Sequence, residues 1–395
     1  MGAHACHPAR RVRDLKAIYL TALARCAPER LVREVLTPDM PRNVVAIGKC
    51  AGALLDGVAH HARDAFAAIP HGYPAPRTRA IVARGGHPQC TDDSFAAGEQ
   101  LQRFVAEHDD ILYLISGGGS ACVEVALPPF TNRQLATVNR QLLQSGVAIH
   151  EMNIVRKHLS AIKGGRLIRK GVTLIYSDVG KGALADVASG PTVADRSTKD
   201  DAIAILQRIG GCDDIVKTLE RPDVPDTVRD TVGEAKLIAD NETLTITAIL
   251  IAVDGGAAVE RWEGQIETDV EDAAQQLAAR ARTLRKGQML VAGGEPTVHI
   301  TGNGKGGRCS ELAVRFARAM GETPDVEALF ASSDGVDGNS GAAGIHLPRI
   351  AQLPPGAQAA LERSDSMSVA AQIGEPIMIA PSGNNLRDLY LLARR

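Results

Sequence analysis

Short apolar runs alternate with helical patterns along the first half of the chain, and these runs open into glycine-containing turns. Residues 44–47 lead into Gly48 and Lys49, and residues 111–115 lead into a glycine-rich turn at 116–120. Strands that alternate with helices in this way are typical of a doubly wound α/β domain with a parallel sheet. Ligands bind at the carboxyl ends of the strands in that architecture, so we expect functional residues in these turns.

The length of the chain, 395 residues, predicts more than one domain, because a single hydrophobic core rarely serves so many residues. The apolar run 244–253 is interpreted as a buried strand, and a second α/β series follows it. That series has predicted strands at 289–292, 297–301 and 328–332 and a predicted helix at 310–320. We therefore predict two α/β domains, residues 1–250 with a Rossmann-like doubly wound sheet and residues 251–395, with an active-site cleft between them.

Composition excludes several classes of partner. The net charge is −2 and the aromatic content is 3%, so neither a basic field nor a stacking platform for nucleic acid is expected. The seven cysteines are scattered, which is typical of reduced thiols in the cytosol. Because there is no signal peptide and the longest apolar run is about half a membrane span, we expect a cytoplasmic protein without membrane contact. The oligomeric state stays open, with a homodimer as one option.

Two glycine-rich turns have the composition of phosphate sites. The first contains the residues Ser116, Gly117, Gly118, Gly119 and Ser120. Glycines allow backbone N–H groups to converge on an anion, and Lys49 adds a point charge after the predicted strand at 44–47. The second turn, 304–308, presents Lys305 and Arg308 just before a predicted helix, whose N-terminus favours anions. Two turns of this kind favour a phosphorylated ligand, although each alone would more often be a flexible loop.

The segment 151–165 is predicted to be a helix with cations beside its apolar stripe. Arg156 and Lys163 lie on the flanking face, which suggests a helix that lines an anion-binding cleft. A solvated basic face is the simpler alternative. A catalytic cysteine is a further alternative, since Cys309 follows a cation that would lower the pKa of its thiol.

Acidic side chains complete the candidate site. Asp334 and Asp337 share a short glycine-rich turn after a predicted strand, and such a pair can hold Mg²⁺ between phosphates. An Asp-Gly turn without a ligand is the more common case. Asp178, at the carboxyl end of a strand, is our candidate for the general base or a metal ligand.

The motifs of both halves together resemble those of class II glycerate kinases. The motifs in the first half lie at 86–88, 115–121, 151–167 and 188–192. Those at 293–297, 304–308, 334–338 and 342–344 are similar to the MOFRL domain that follows in this family. The resemblance covers nearly the whole chain in the same order. It implies an ATP- and Mg²⁺-dependent kinase that phosphorylates D-glycerate at its 2-hydroxyl group to give 2-phosphoglycerate.

The resemblance also implies that Lys49 and Arg308 are the catalytic pair. Within this interpretation as a kinase, we expect Asp178 to be the base and Asp334 and Asp337 to be the metal ligands. Nucleotide and substrate would contact the turn at 116–120 together with Arg156, Lys163, Glu295 and Lys305.

The sequence departs from the family pattern at positions that belong to the expected site. Gly180, Lys181, Gly182 and Ala183 replace a segment that usually carries two acids, Cys309 replaces an Asn, and Gly341 replaces an Asp. These changes leave three alternatives open. They are a kinase for another small 2-hydroxy acid, a hydroxypyruvate reductase, and a non-catalytic sensor of phosphorylated metabolites.

Overall fold

The computed structural model of the chain describes residues 14–168, 170–177, 179, 184–230 and 233–395. Internal contacts divide these residues into two compact units. The N-terminal unit is Pro28–Asp240, and the C-terminal unit combines Asn241–Arg395 with the described residues before Pro28, which form helix α1 (Leu15–Arg25). The boundary predicted at residue 250 falls inside a helix of the C-terminal unit.

The N-terminal unit alternates strands and helices. Its helices are α2 (Pro28–Val35), α3 (Ala51–Gly57), α4 (Asp92–Ala106), α5 (Gly119–Cys122), α6 (Asn132–Ser145), α7 (Ile149–Leu159), α8 (Lys199–Ile209) and α9 (Asp213–Leu219), with a 3-10 segment at Leu184–Ser189. Its strands are β1 (Asn43–Ile47), β2 (Asp64–Pro70), β3 (Ile81–Gly85), β4 (Asp110–Ser116), β5 (Lys170–Tyr176) and β6 (Glu234–Ala239).

The six strands of this unit form one parallel sheet in the order β3-β2-β1-β4-β5-β6. The five residues of β1 are all buried, as are six of the seven in β4. Strands that are covered on both faces consist of continuous apolar residues, which is why the sequence pattern located both strands. The observed strand order is that of a doubly wound Rossmann-like sheet, whose direction of winding reverses between β1 and β4. The prediction for this half is confirmed.

The C-terminal unit is built on a mixed sheet. After α1, its helices are α10 (Asn241–Asp254), α11 (Val270–Thr283), α12 (Arg308–Met320), α13 (Ala357–Glu362) and α14 (Ser366–Ile373). Its strands are β7 (Ala258–Arg261), β8 (Gln288–Gly294), β9 (Val326–Ser332), β10 (Gly344–Leu347), β11 (Glu375–Pro376) and β12 (Asp388–Arg394).

The sheet order in this unit is β11-β10-β9-β12-β8-β7. The last strand of the chain, β12, lies between β9 and β8 and is antiparallel to both. The start of β12 therefore lies beside the carboxyl ends of its two neighbours, where β8 ends at Gly294 and β9 ends at Ser332. This pairing brings Asp388 and the residue before it to the turns that follow β8 and β9.

Two predicted strands are wrong. The run 244–253 lies in helix α10, whose buried residues Leu244, Ala248 and Ile251 recur at helical spacing. An apolar run of this length fits a buried helix better than a strand, and periodicity alone could not separate the two. Residues 297–301 do not form a strand, since Thr297 makes only an isolated bridge to Asp269. Among the described residues, no helix is long and apolar enough to cross a membrane.

Candidate active site

The carboxyl ends of β1 and β4 are locked together by one serine. The Ser116 hydroxyl group donates to the Ile47 carbonyl oxygen and accepts from the Cys50 N–H, each at 3.1 Å. The Lys49 N–H donates to the Gly117 carbonyl oxygen at 2.9 Å. Ser116 itself is fully buried. Ser116 therefore fixes the turn that carries Lys49, and its hydroxyl group is already engaged in these two hydrogen bonds.

Glycine is required in this turn because two chain segments cross closely. Gly48 has φ +111°, and a Cβ atom there would lie 2.4 Å from the Ser116 carbonyl oxygen. Gly118 has φ +79°, and a Cβ atom there would lie 2.8 Å from Cγ of Lys49. The aliphatic part of Lys49 consequently packs across Gly118, next to the first turn of α5. The structure brings Lys49 and the turn at 116–120 together, as the strand ends predicted.

The far side of this turn is held by a chain of hydroxyl groups. The Ser120 and Ser189 hydroxyl groups are 2.7 Å apart, and Ser189 donates to Oδ1 of Asn153 at 3.0 Å. Ser189 has φ +60° and the preceding Ala188 has φ +53°, a left-handed region that non-glycine residues seldom occupy. Backbone strain of this kind is often kept where it positions functional groups. Neither Ser189 nor Asn153 was assigned a role in the site from the sequence.

Helix α7 carries cations that the fold neutralises locally. It is shorter than predicted and ends at Leu159. The Lys157 ammonium group lies 3.2 Å from a carboxylate oxygen of Asp186 and 3.0 Å from one of Asp195. The His158 ring contacts Asp226 at 2.9 Å. The basic face of this helix is therefore paired within its own unit.

Arg156 and Lys163 do not form the predicted anion-binding cleft. The side chain of Lys163 is 2% exposed, and its ammonium group lies 2.6 Å from the equally buried carboxylate of Glu124. Arg156 donates to the side chain of Asn139, and burial lowers the pKa of its guanidinium group. A substrate carboxylate would have to break the buried pair to reach Lys163, so the structure argues against that role.

Asp178 and the segment 180–183 lie outside the residues that the structure describes. The role of Asp178 as a base stays a prediction from the sequence.

In the C-terminal unit, Arg308 is the first residue of α12 and is held by two acids. Its guanidinium group contacts the carboxylate of Asp388 at 3.3 and 3.4 Å and that of Glu295 at 3.1 Å. Asp388 is fully buried, and its charge raises the pKa of the Arg308 guanidinium group well above the usual value. The two acids hold the Arg308 side chain in place. Because this side chain is 37% exposed, part of it stays accessible to a ligand.

A second arginine lies beside this pair. The Arg387 guanidinium group donates to Gln265 at 2.7 Å and contacts Glu267 and Glu295. Its backbone has φ +60°, another left-handed residue next to a candidate site. Arg387 and Asp388 were missed by the sequence interpretation, because their roles depend on the central placement of β12.

A cavity of about 890 Å³ opens above these residues within the C-terminal unit. Glu295, Arg308 and Arg387 line its polar side. Backbone of the glycine-rich turn at 304–307 and the segment 296–300 supply further walls. Lys305 does not line the cavity, and its backbone N–H donates to Asp365 at 3.0 Å.

The start of α12 is already occupied by a carboxylate of the protein. The two oxygens of Asp337 accept from the N–H groups of Cys309 and Ser310 at 2.8 and 2.9 Å. Gly307 must be glycine, because a Cβ atom there would lie 2.2 Å from Oδ1 of Asp337. This helix N-terminus is therefore capped internally and does not offer the free phosphate site expected from the sequence.

The same contacts test the predicted magnesium ligands. Asp337 is buried and uses both oxygens on backbone N–H groups, while Oδ1 of Asp334 accepts from Ser332 and Val336. Mg²⁺ prefers carboxylates that it can share with water and phosphate. Across the described ranges, no cluster of three or more metal-ligating side chains occurs. The geometry of Asp334 and Asp337 does not fit a two-carboxylate magnesium site.

Cys309 is not an activated thiol. It is fully buried, and this burial raises the pKa of its thiol well above the usual value. The expected effect of the neighbouring cation is outweighed, because the low-dielectric surroundings disfavour the thiolate.

The N-terminal unit has a doubly wound sheet with a glycine turn that carries Lys49 at its point of reversal. The C-terminal unit has a mixed sheet and a cavity lined by arginines. Together these features define a two-unit α/β protein of ligand-binding type. Comparison with family models matches residues 14–221 to the domain of unknown function DUF4147 and residues 288–388 to the MOFRL family. The chain belongs to the glycerate kinase family that combines these two domains.

Individual relatives cover nearly the whole chain. A putative hydroxypyruvate reductase of Agrobacterium vitis is 31% identical over 95% of this chain and 92% of its own length. A D-glycerate 2-kinase of Thermotoga maritima is 29% identical over 92% of this chain and 94% of its own. The crystal structure of a glycerate kinase from Thermotoga maritima superposes with a TM-score of 0.83 at 27% identity, covering 96% of this chain and 98% of that one.

Proposed function

We propose that this protein is a kinase that transfers the γ-phosphoryl group of ATP to the 2-hydroxyl group of D-glycerate, giving 2-phosphoglycerate and ADP. Relatives named glycerate 2-kinase or glycerate kinase, each about 30% identical over most of the chain, support the reaction class. The single structural observation that carries the proposal is Lys49, presented at the reversal point of the parallel sheet by a turn that Ser116 fixes.

In this reaction the 2-hydroxyl oxygen of the acceptor forms a bond to the γ-phosphorus atom while the bond to the β–γ bridging oxygen breaks. The hydroxyl proton leaves to a base, for which we propose Asp178. Phosphoryl transfer needs positioning and charge neutralisation more than covalent help from the protein. Lys49 is proposed to supply a positive charge to the phosphate oxygens, and the N–H groups of the turn at 117–120 to orient them.

Arg308 is proposed as the second cation of the transition state. Because Asp388 and Glu295 hold its guanidinium group, little reorganisation is needed when negative charge develops on the transferring group. Mg²⁺ would accompany the nucleotide in such a reaction. No step is assigned to a metal held by Asp334 and Asp337, since their geometry does not fit one.

The decisive experiment follows product formation directly. Purified protein, ATP, Mg²⁺ and D-glycerate should give the phosphorus-31 signal of 2-phosphoglycerate, with L-glycerate, lactate and hydroxypyruvate as parallel acceptors. A product signal with another acid would support the assignment as a kinase but show that D-glycerate is not the substrate. No signal with any short hydroxy acid would reject the kinase proposal.

The hydroxypyruvate reductase alternative is kept because two relatives carry that name. The turn after β1 lacks the Gly-x-Gly-x-x-Gly pattern through which a Rossmann-type sheet binds a dinucleotide. In its place the chain puts Lys49 across Gly118. Oxidation of NADH or NADPH by hydroxypyruvate without ATP would favour this alternative over the kinase.

A further inference from the structure

The cavity of the C-terminal unit has one apolar wall that the reaction chemistry does not explain. Pro296, Val298 and Ile300 line it at every second residue of the segment after β8. Ile300 is 81% exposed, although a large aliphatic side chain gains by being covered. An exposed apolar side chain at the edge of a cavity is typical of a surface that a ligand covers.

The cavity also has a polar lining. Glu267, Glu295, Arg308 and Arg387 line it, whereas the carboxylate of Glu311, which lies among the same residues, is buried and paired with Arg315. Both arginines already contact carboxylates of this set. The lining therefore carries paired charges of both signs. Carboxylates do suit hydroxyl groups, because each oxygen can accept several hydrogen bonds.

The size of the cavity favours a ligand larger than glycerate. The cavity, about 890 Å³, lies in the upper part of the range for sites that enclose a drug-sized ligand, roughly 300–1,000 Å³. A three-carbon acid would leave most of this volume to water. A nucleotide would fill much more of it.

We propose that this cavity binds the nucleoside part of the phosphoryl donor. The base covers the wall formed by Pro296, Val298 and Ile300, the ribose hydroxyl groups donate to Glu267, and the phosphates extend toward Arg308. The assignment rests on the proposed function for the identity of the donor as ATP. Beyond that function, the C-terminal unit recognises the donor, and side chains of this cavity contact its base and its sugar.

The first test measures ADP binding to the full-length protein by calorimetry, without any acceptor. Ile300→Ser should weaken ADP binding at least fivefold, because the base loses an apolar contact. Leu250→Ser is the matched control, since Leu250 is an exposed aliphatic residue of the same unit that does not line the cavity. This control should leave ADP binding within twofold of the wild type.

The second test examines the sugar. The wild type should bind ADP at least fivefold more tightly than 2′,3′-dideoxy-ADP, and Glu267→Gln should reduce this preference to less than twofold. Retention of the full preference in Glu267→Gln would overturn the ribose assignment.

Kinetics separate this inference from the function it rests on. If Ile300→Ser raises KM for glycerate and leaves ADP binding unchanged, the cavity is the acceptor site and the inference is overturned. If glycerate is never phosphorylated but ADP binding depends on Ile300 and not on Leu250, the proposed function fails and the nucleotide site stands.

Discussion

Replacing Asp388 by Asn tests whether a buried carboxylate positions the catalytic arginine. Asp388 is fully buried at the first residue of β12 and accepts from Nε and Nη2 of Arg308. Its Oδ2 also accepts from the Tyr390 hydroxyl group at 3.2 Å. Asparagine has nearly the same shape but no charge, so the variant removes the ion pair without opening a cavity.

The size of the effect follows from these contacts. Hydrogen bonds to a charged group contribute about 1.5–3 kcal/mol, and the two distances to Arg308, 3.3 and 3.4 Å, place this pair near the lower end. Removal of the buried charge recovers part of its desolvation cost. We therefore expect the free energy of unfolding to fall by about 1–2 kcal/mol. A loss of orientation of similar size in the transition state corresponds to about a tenfold lower kcat.

The assay compares Asp388→Asn with Glu295→Gln by urea unfolding and by steady-state kinetics. Glu295 is 38% exposed, so its contact with Arg308 should contribute less than about 1 kcal/mol to stability. For Asp388→Asn, kcat should fall while KM for both substrates stays within twofold. If the free energy of unfolding falls but kcat is unchanged, Asp388 has a structural role only. That result would refute the argument that it positions Arg308.

Three further predictions concern the turns. Lys49→Met and Arg308→Ala should each lower kcat about a hundredfold or more, since a preorganised charge at the transition state contributes several kcal/mol. A melting temperature equal to that of the wild type is the control. A near-normal kcat would remove that residue from the mechanism. Ser116→Ala removes two buried hydrogen bonds, so the free energy of unfolding in urea should fall by about 1–3 kcal/mol and kcat should also be lower. An unchanged kcat would show that Lys49 does not need these hydrogen bonds. Burial raises the pKa of the Asp337 carboxyl group to about 6, above its usual 3.8, so the folded state retains a proton that the unfolded state releases. This contribution to stability is complete below pH 3.8 and is lost as the pH rises through 6, so the wild type should lose about 1 kcal/mol relative to Asp337→Asn between pH 5 and 7. A pH-independent difference between the two proteins in urea unfolding would contradict that assignment.

The sequence by itself determined the parallel sheet and the position of its ligand-binding turn. Parallel strands are covered on both faces, so β1 and β4 are continuous apolar runs that can be recognised without tertiary information. The turn follows each strand directly in the chain. Lys49 and the residues 116–120 could therefore be predicted to lie together, because neighbouring parallel strands end at the same edge.

The partners of the charged residues were decided only by the tertiary structure. Arg308 meets Asp388, 80 residues away, because β12 inserts between β8 and β9. Lys163 is buried against Glu124, 39 residues earlier, although its helical pattern had suggested a cation that lines an anion-binding cleft. Helical or strand periodicity indicates which face of an element is apolar. It does not indicate which charged residue, far away in the sequence, will contact a given cation of that element. The function of a cation depends on that distant charge, so the fold had to be known before paired and ligand-facing cations could be told apart.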